Sequence, residues 1–429
     1  MALNRRQFLW GSLAAATATA GLSACGGRSG GEGGPASLAL AWWGNPTRNA
    51  NTTAAIDLYL QSHEGTSITA QPGEWASYWD RLATQTAGGS APDVIQMDMA
   101  YLGEYGARGA LLDLSQYDID TSSFAEGTAD SGEIDGAVYG INAGINTPVL
   151  MANPALFEQA GLPMPDDTTW TWDDLRTISA EVAAGAGIPF GVVGVWASED
   201  YLELWLRQQG KSLFSEDGGL GFEAADAAEW LEMALSFQEA GATGSPSQIG
   251  EEAAKSLDQS AIAVGTGAMQ TFWSNQLEAL SEAAGTELTL LRYPSSTGSA
   301  TDRATYYKAS MLWSASARTE DPEAAAALID WWVNSPEAAG INLAERGIPA
   351  NTEVRDAITP ELSEVQQRVV QFIADIEPET TDAPSAPPAG GGALEAIFLR
   401  AYTDVLFGSS TPSDAAQAFV DEASSNLSG

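Results

Sequence analysis

The chain has 429 residues, a formal net charge of −39, one histidine and one cysteine. That charge repels a polyanion over most of the surface, which sets aside nucleic acid and anionic lipid faces as partners. A single Cys and a single His exclude disulfides, zinc–thiolate sites and histidine-built metal sites, so no metal or other cofactor is expected.

Asn4-Arg5-Arg6-Gln7-Phe8-Leu9 reads as a twin-arginine export signal, followed by a short apolar run rich in Ala and Thr. Leu22-Ser23-Ala24-Cys25 then reads as a lipobox, whose cysteine becomes the lipidated first residue of the mature chain. The apolar run is too short to span a membrane, so residues 1–24 are read as a removed signal peptide. Residues 25–36, mostly glycine, cannot bury enough surface to fold and are read as a flexible linker. The protein is therefore expected outside the cytoplasm, with the lipid on Cys25 as its only hold on the cell membrane.

About 400 residues remain, more than one ordinary core accommodates, so two domains are expected. Residues 37–43 read as a buried strand stopped by Gly44-Asn45-Pro46, followed by a helix over 52–61 and a strand over 67–71. A helix over 75–86 ends at Gly88-Gly89, and 93–97 is the next strand. Alternation at this spacing indicates βαβ units in an α/β fold with a mainly parallel sheet. Such sheets bind ligands at the carboxyl ends of their strands, where Trp42-Trp43 and Met97-Asp98 lie. His63 follows the first helix, and no Gly-x-Ser-x-Gly elbow, phosphate-cradling loop or dinucleotide fingerprint accompanies it.

Residues 138–153 read as an extended crossover interrupted at Gly144-Ile145-Asn146-Thr147-Pro148. A second α/β region follows, with helices at 172–184, 201–209, 224–239 and 276–284. Its strands are expected at 190–195, 261–264 and 288–293. A strand over 309–314 precedes helices over 322–334 and 336–346. Beyond Pro360 the chain reads as helical, broken by a Pro/Gly-rich stretch over 378–392 that is long enough to be a functional loop.

Several stretches carry a family resemblance. They are Ala87-Gly88-Gly89 with Pro92-Asp93-Val94, Val138-Tyr139-Gly140-Ile141 leading to Leu150-Met151-Ala152-Asn153, and Leu156-Phe157-Glu158-Gln159-Ala160-Gly161-Leu162. Thr171-Trp172-Asp173-Asp174-Leu175, Asp321-Pro322-Glu323-Ala324-Ala325, Ser335-Pro336-Glu337-Ala338-Ala339 and Gly347-Ile348-Pro349 follow in order. Together with the lipobox, the chain resembles the extracellular solute-binding lipoproteins of ABC importers, within the carbohydrate-binding family typified by maltose-binding protein. It departs from that pattern at Ala152-Asn153-Pro154, where the family often has Tyr-Asn-Lys.

The resemblance implies a two-lobed periplasmic-binding-protein-like fold, with a hinge and the ligand in the interlobe cleft. Lobe 1 would hold residues 37–145 with about 300–350, and lobe 2 residues 146–299 with about 351–427. It also implies a monomeric binding protein, not an enzyme, that closes on a mono- or oligosaccharide and presents it to permease subunits.

A neutral sugar alternates hydroxyls with apolar faces, so its site needs flat aromatic platforms and a few polar partners. Trp205, Trp230, Trp331 and Trp332 fall inside amphipathic helices and read as packing residues, and Trp170 and Trp172 as a helix staple. Trp42 and Trp43 are neighbours on a strand and point to opposite faces, so one of the two is a platform candidate. Trp75, at a helix start, and Asp98, at a strand end, are candidates too; a staple and a helix cap are their alternatives. Gly144, Asn146 and Thr147 lie where the resemblance places a binding contact, and Trp196, Trp273 and Asn275 match family positions that stack on sugar. Tyr307 and Arg346 complete the candidates.

A secreted carbohydrate-active enzyme stays open, because carboxylate separation, which decides glycosidase chemistry, is invisible in sequence. A receptor of the same fold for a peptide, polyamine or metal chelate also stays open. Twin tryptophans and few basic residues favour a neutral polyol.

Overall fold

The computed structural model describes residues 36–427 except 45, 197, 216, 254, 385, 386 and 389. The twin-arginine signal and the lipobox with Cys25 lie outside the described residues. Ala36, read as the last linker residue, is buried and packs with Leu38 and Leu40.

β1 (Ser37–Trp43), α1 (Pro46–Ser62), β2 (Ser67–Gly73), α2 (Trp75–Ala87), β3 (Val94–Met97) and α3 (Met99–Ala107) alternate as the sequence predicts. β1 lies between β2 and β3, parallel to both. A hairpin of β4 (Glu133–Ile134) and β5 (Ala137–Val138) leads to β6 (Ile141–Asn146). One residue later, after Thr147, the chain enters β7 (Pro148–Ala152), so the crossover is two strands belonging to different sheets.

The second lobe continues through α4 (Pro154–Ala160), α5 (Trp172–Ala186), β8 (Phe190–Val193), α6 (Glu199–Gln208) and α7 (Ala224–Glu239). α8 (Pro246–Ala253), β9 (Gly267–Trp273), α9 (Leu277–Ala284) and β10 (Thr289–Leu291) follow, and its sheet runs β10-β7-β9-β8. Local chemistry sets the ends: Thr171 and Asp174 form a capping box on α5, and Gly187 at φ 69° terminates it in the left-handed region.

β11 (Thr305–Tyr306) returns the chain, and β12 (Lys308–Ala315) enters the first sheet between β3 and β6, giving the order β2-β1-β3-β12-β6. α10 (Pro322–Asn334) packs on this lobe through Ala325, Leu328 and Ile329, with α11 (Pro336–Asn342) after it. α12 (Thr352–Ile358), α13 (Glu364–Ile376), β13 (Thr380–Thr381), α14 (Leu394–Leu406) and α15 (Pro412–Leu427) complete the chain. Phe398 of α14 and Phe419 of α15 join Trp230 of α7 in the second lobe's core.

The expected mainly parallel sheet is corrected to two mixed sheets. β12 runs antiparallel to β3 and β6, and β7 antiparallel to β9 and β10, because the strands that pass between lobes enter each sheet from the opposite end. The strand expected at 261–264 is a turn in which Ala261, Ile262 and Ala263 are buried and Val264 is exposed, and β9 forms a few residues later. A short buried apolar run does not distinguish these. The helix expected over 336–346 stops at Asn342, where Leu343 takes φ 47°.

Three chain passages meet at the lobe junction. Ile145 and Ile348 exchange backbone hydrogen bonds of 2.7 and 3.1 Å, and Thr147 Oγ1 lies 3.4 Å from Thr305 Oγ1. Ile145, Val149, Tyr307, Ile348 and Ile373 form one apolar cluster across that junction. Gly144 is required there, because a Cβ would sit 2.4 Å from the Arg346 carbonyl oxygen.

Candidate functional site

The carboxyl ends of β1, β2 and β3 carry an aromatic cluster. Trp43 ends β1 and meets Trp75 at 5.0 Å, Tyr78 at 5.3 Å and Trp79 at 5.4 Å between ring centroids. Trp79 stacks on Tyr101 of α3 at 3.8 Å. Trp75 stands at the start of α2 with 46% of its surface exposed, an indole backed by rings and open to solvent.

Strand alternation separates the two adjacent tryptophans. Trp43 faces the cluster, whereas Trp42 is fully buried among Leu38, Leu40 and Trp313, with its Nε1 donating to Asn49 Oδ1 at 2.8 Å. Asp98 does cap α3, accepting from the Ala100 N–H at 2.9 Å. Burial pushes its carboxyl up from the usual range, and Lys308 opposes that shift.

The second lobe contributes Trp273, the last residue of β9, and α6. The Lys308 ammonium lies 4.6 Å over the Trp273 ring and 3.5 Å from Asp200 Oδ1. Asn275 beside Trp273 is exposed. Glu199 opens α6, and burial, then the charge of Asp200, pushes its carboxyl up to about 7. Its Oε2 is buried without a hydrogen-bond partner among the described residues.

A raised carboxyl has a defined sign. The unfolded state ionises first, so Glu199 costs stability progressively as pH climbs from about 4.5 to about 7. Glu199→Gln is therefore expected to raise the melting temperature above pH 7 and leave it nearly unchanged near pH 4.5. A melting curve whose pH dependence is the same in both proteins would rule this out.

Other sequence candidates are buried inside the lobes. Trp196 is 2% exposed and packs on Trp230 at 4.4 Å and Phe237 at 4.9 Å in the second lobe's core. The chain turns inward after β8, so its strand-end position does not make it a platform. Arg346 is buried under Trp313 and Trp332 in the first lobe, its guanidinium held by neighbouring side chains.

The remaining candidates belong to the junction. The Tyr307 hydroxyl donates to the Ile373 carbonyl at 2.7 Å, and Thr147 is fully buried with its N–H on Ser274 Oγ at 3.2 Å. Gly144 serves close backbone approach, as described above. Asn146 is 7% exposed, and its Oδ1 has no hydrogen-bond partner among the described residues.

Sequence reasoning missed Lys308, Asp200, Glu199, Trp79 and Tyr101. Lys308 had one signal: it is one of three lysines, and it follows Tyr306-Tyr307 at the chain's return to the first lobe. Among the described residues no group of His, Cys, Asp and Glu is arranged to hold a metal ion, and no helix is long and apolar enough to cross a membrane.

Residues 54–368 match the model of the bacterial extracellular solute-binding proteins, and the chain belongs to that family. An arabinooligosaccharide-binding protein of Bacillus subtilis is 26% identical over 178 residues, which cover 41% of this chain and 37% of that relative. The fold matches an extracellular solute-binding protein of family 1 from Alicyclobacillus acidocaldarius with a TM-score of 0.76 at 24% identity, over 93% of this chain and 100% of that one. A periplasmic oligogalacturonide-binding protein from Yersinia enterocolitica matches with a TM-score of 0.78 at 20% identity, over 91% and 99%. The matched family and these neighbours are binding proteins.

Proposed function

We propose that this protein is the carbohydrate receptor of an ABC importer. It captures an extracellular mono- or oligosaccharide by lobe closure and hands it, unaltered, to membrane permease subunits. The observation that carries the reading is the half-exposed Trp75 backed by Trp43, Trp79 and Tyr101 on the strand ends that also hold Asp98. An indole left open beside a carboxylate suits the apolar face and hydroxyls of a sugar ring. The twin-arginine signal and lipobox support export and anchoring through Cys25, and the acidic balance argues against nucleic acid. The arabinooligosaccharide-binding relative supports the ligand class.

A thermal-shift screen against neutral saccharides tests the reading. A ligand at a hundred times its dissociation constant stabilises by about 2.7 kcal/mol, an easily read shift. The shift should come with a smaller scattering radius and full recovery of intact sugar. Release of cleavage products would make the protein an enzyme, and an unmoved melting temperature across the panel would end the carbohydrate reading.

A further inference from the structure

Lys308 opens β12 directly opposite Asn146 in the antiparallel pair with β6. Residues so opposed project to the same face of a sheet. On that face the Lys308 ammonium covers Trp273, and the Asn146 Oδ1 is an acceptor with no hydrogen-bond partner. Lys308 is 39% exposed, whereas Asn146 is more than nine-tenths buried.

The charges around Lys308 come from both lobes. Asp98 caps α3 in the first lobe, Glu199 and Asp200 open α6 in the second, and Glu395 of α14 acts on Glu199. Among the described residues Lys308 is the cation whose charge bears on both Asp98 and Glu199. Arg207, further along α6, is spent on Glu203 at 3.6 Å and on Thr381 at 2.6 Å.

We propose that Lys308 is a specificity-determining residue of the cleft: it holds carboxylates of both lobes close enough for a neutral, hydroxyl-bearing saccharide to bridge them, and the surplus negative charge refuses an anionic one. This deepens the carbohydrate-receptor reading and rests on it. The wall carries carboxylates on Asp98, Glu199 and Asp200 and the unpartnered Oδ1 of Asn146, and the Lys308 ammonium among them is already engaged with Asp200. A ligand must therefore bring donors, as a polyol does at every hydroxyl. A uronate brings a charge of the wrong sign into a partly desolvated gap.

Calorimetry on the wild type, Lys308→Met and Lys308→Arg at about pH 5.5 and about pH 8 tests this. The probes are the neutral saccharide with the largest thermal shift and digalacturonate. Lys308→Met should weaken the neutral ligand roughly tenfold at the higher pH and clearly less at the lower, where Glu199 is protonated and the repulsion relaxes. Lys308→Arg should restore most of the affinity, and digalacturonate should bind the wild type roughly tenfold more weakly than the neutral sugar.

An equal loss at both pH values marks a packing role alone and overturns the proposal, as does digalacturonate binding as tightly as the neutral ligand. If no saccharide binds the wild type, the receptor reading itself fails. The ligand-free scattering radius at low salt then decides the role of Lys308: a larger radius in Lys308→Met supports the clasp between lobes, and an unchanged one overturns it.

Discussion

Arg346→Ala is expected to destabilise the first lobe by about 3–5 kcal/mol. The guanidinium donates through Nε to Gln96 Oε1 at 3.1 Å, through Nη1 to Asn342 Oδ1 at 2.8 Å and through Nη2 to Thr52 Oγ1 at 2.6 Å. The Trp313 and Trp332 rings lie 5.4 and 5.5 Å from its Cζ. Burial pushes its pKa down to about 9, which still leaves it charged at neutral pH. Truncation strands three buried acceptors and opens a cavity between two indoles, and both effects act in the same direction.

Lysine should not rescue the site, since a point charge cannot reproduce three bonds in a fixed fork. Methionine should fall between the wild type and alanine, because it refills the space without satisfying the acceptors. Urea unfolding followed by tryptophan fluorescence measures the difference. A midpoint shift equivalent to under about 1 kcal/mol would show that Arg346 is not structural.

Trp75→Ala is expected to weaken saccharide binding by about 1–3 kcal/mol, roughly 5- to 150-fold. The indole is 46% exposed in the free protein, so ligand binding would cover area that folding leaves open. The covered half of the indole packs on Trp43 and Trp79, so the ligand-free melting temperature should fall as well, and affinity is compared well below the variant's transition. Trp75→Phe should keep part of the affinity. Binding that is unchanged in the alanine variant would remove Trp75 from the site and leave Trp43 and Trp273 to carry it.

Much of the fold was legible because the local signals agree with one another. β1, α7 and α10 match their sequence boundaries, and each has a clear start or stop: Pro322 opens α10 at its first turn. The apolar Ala261-Ile262-Ala263-Val264 looks more like a strand than Gly267-Ala268-Met269-Gln270-Thr271-Phe272-Trp273, which forms β9. Burial of Ile262 and Ala263 in that turn comes from tertiary packing, which periodicity does not carry.

The site was less legible. Trp196 comes just after β8 and Trp273 ends β9, and only the packing of Trp196 on Trp230 makes it core while Trp273 stays half-buried at the junction. Arg346 sits next to Gly347-Ile348, which does reach the lobe junction, yet its own side chain turns back into the lobe. Lys308 and Asp200 are 108 positions apart and belong to different lobes, so no spacing rule could pair them. Strand alternation, by contrast, does place Trp42 and Trp43 on opposite faces of the sheet, in two different clusters.

The strand order carries a consequence for biosynthesis. β12, from residues 308–315, is wedged between β3 and β6, so the first sheet cannot be completed until the ribosome has moved well past residue 315. The second sheet uses only residues 148–291, an unbroken stretch of chain. Its core, however, also takes Phe398 of α14 and Phe419 of α15, so neither lobe is complete until residues 394–427 have been made, and meanwhile β3 waits with an unpaired edge that a holding chaperone would need to shield.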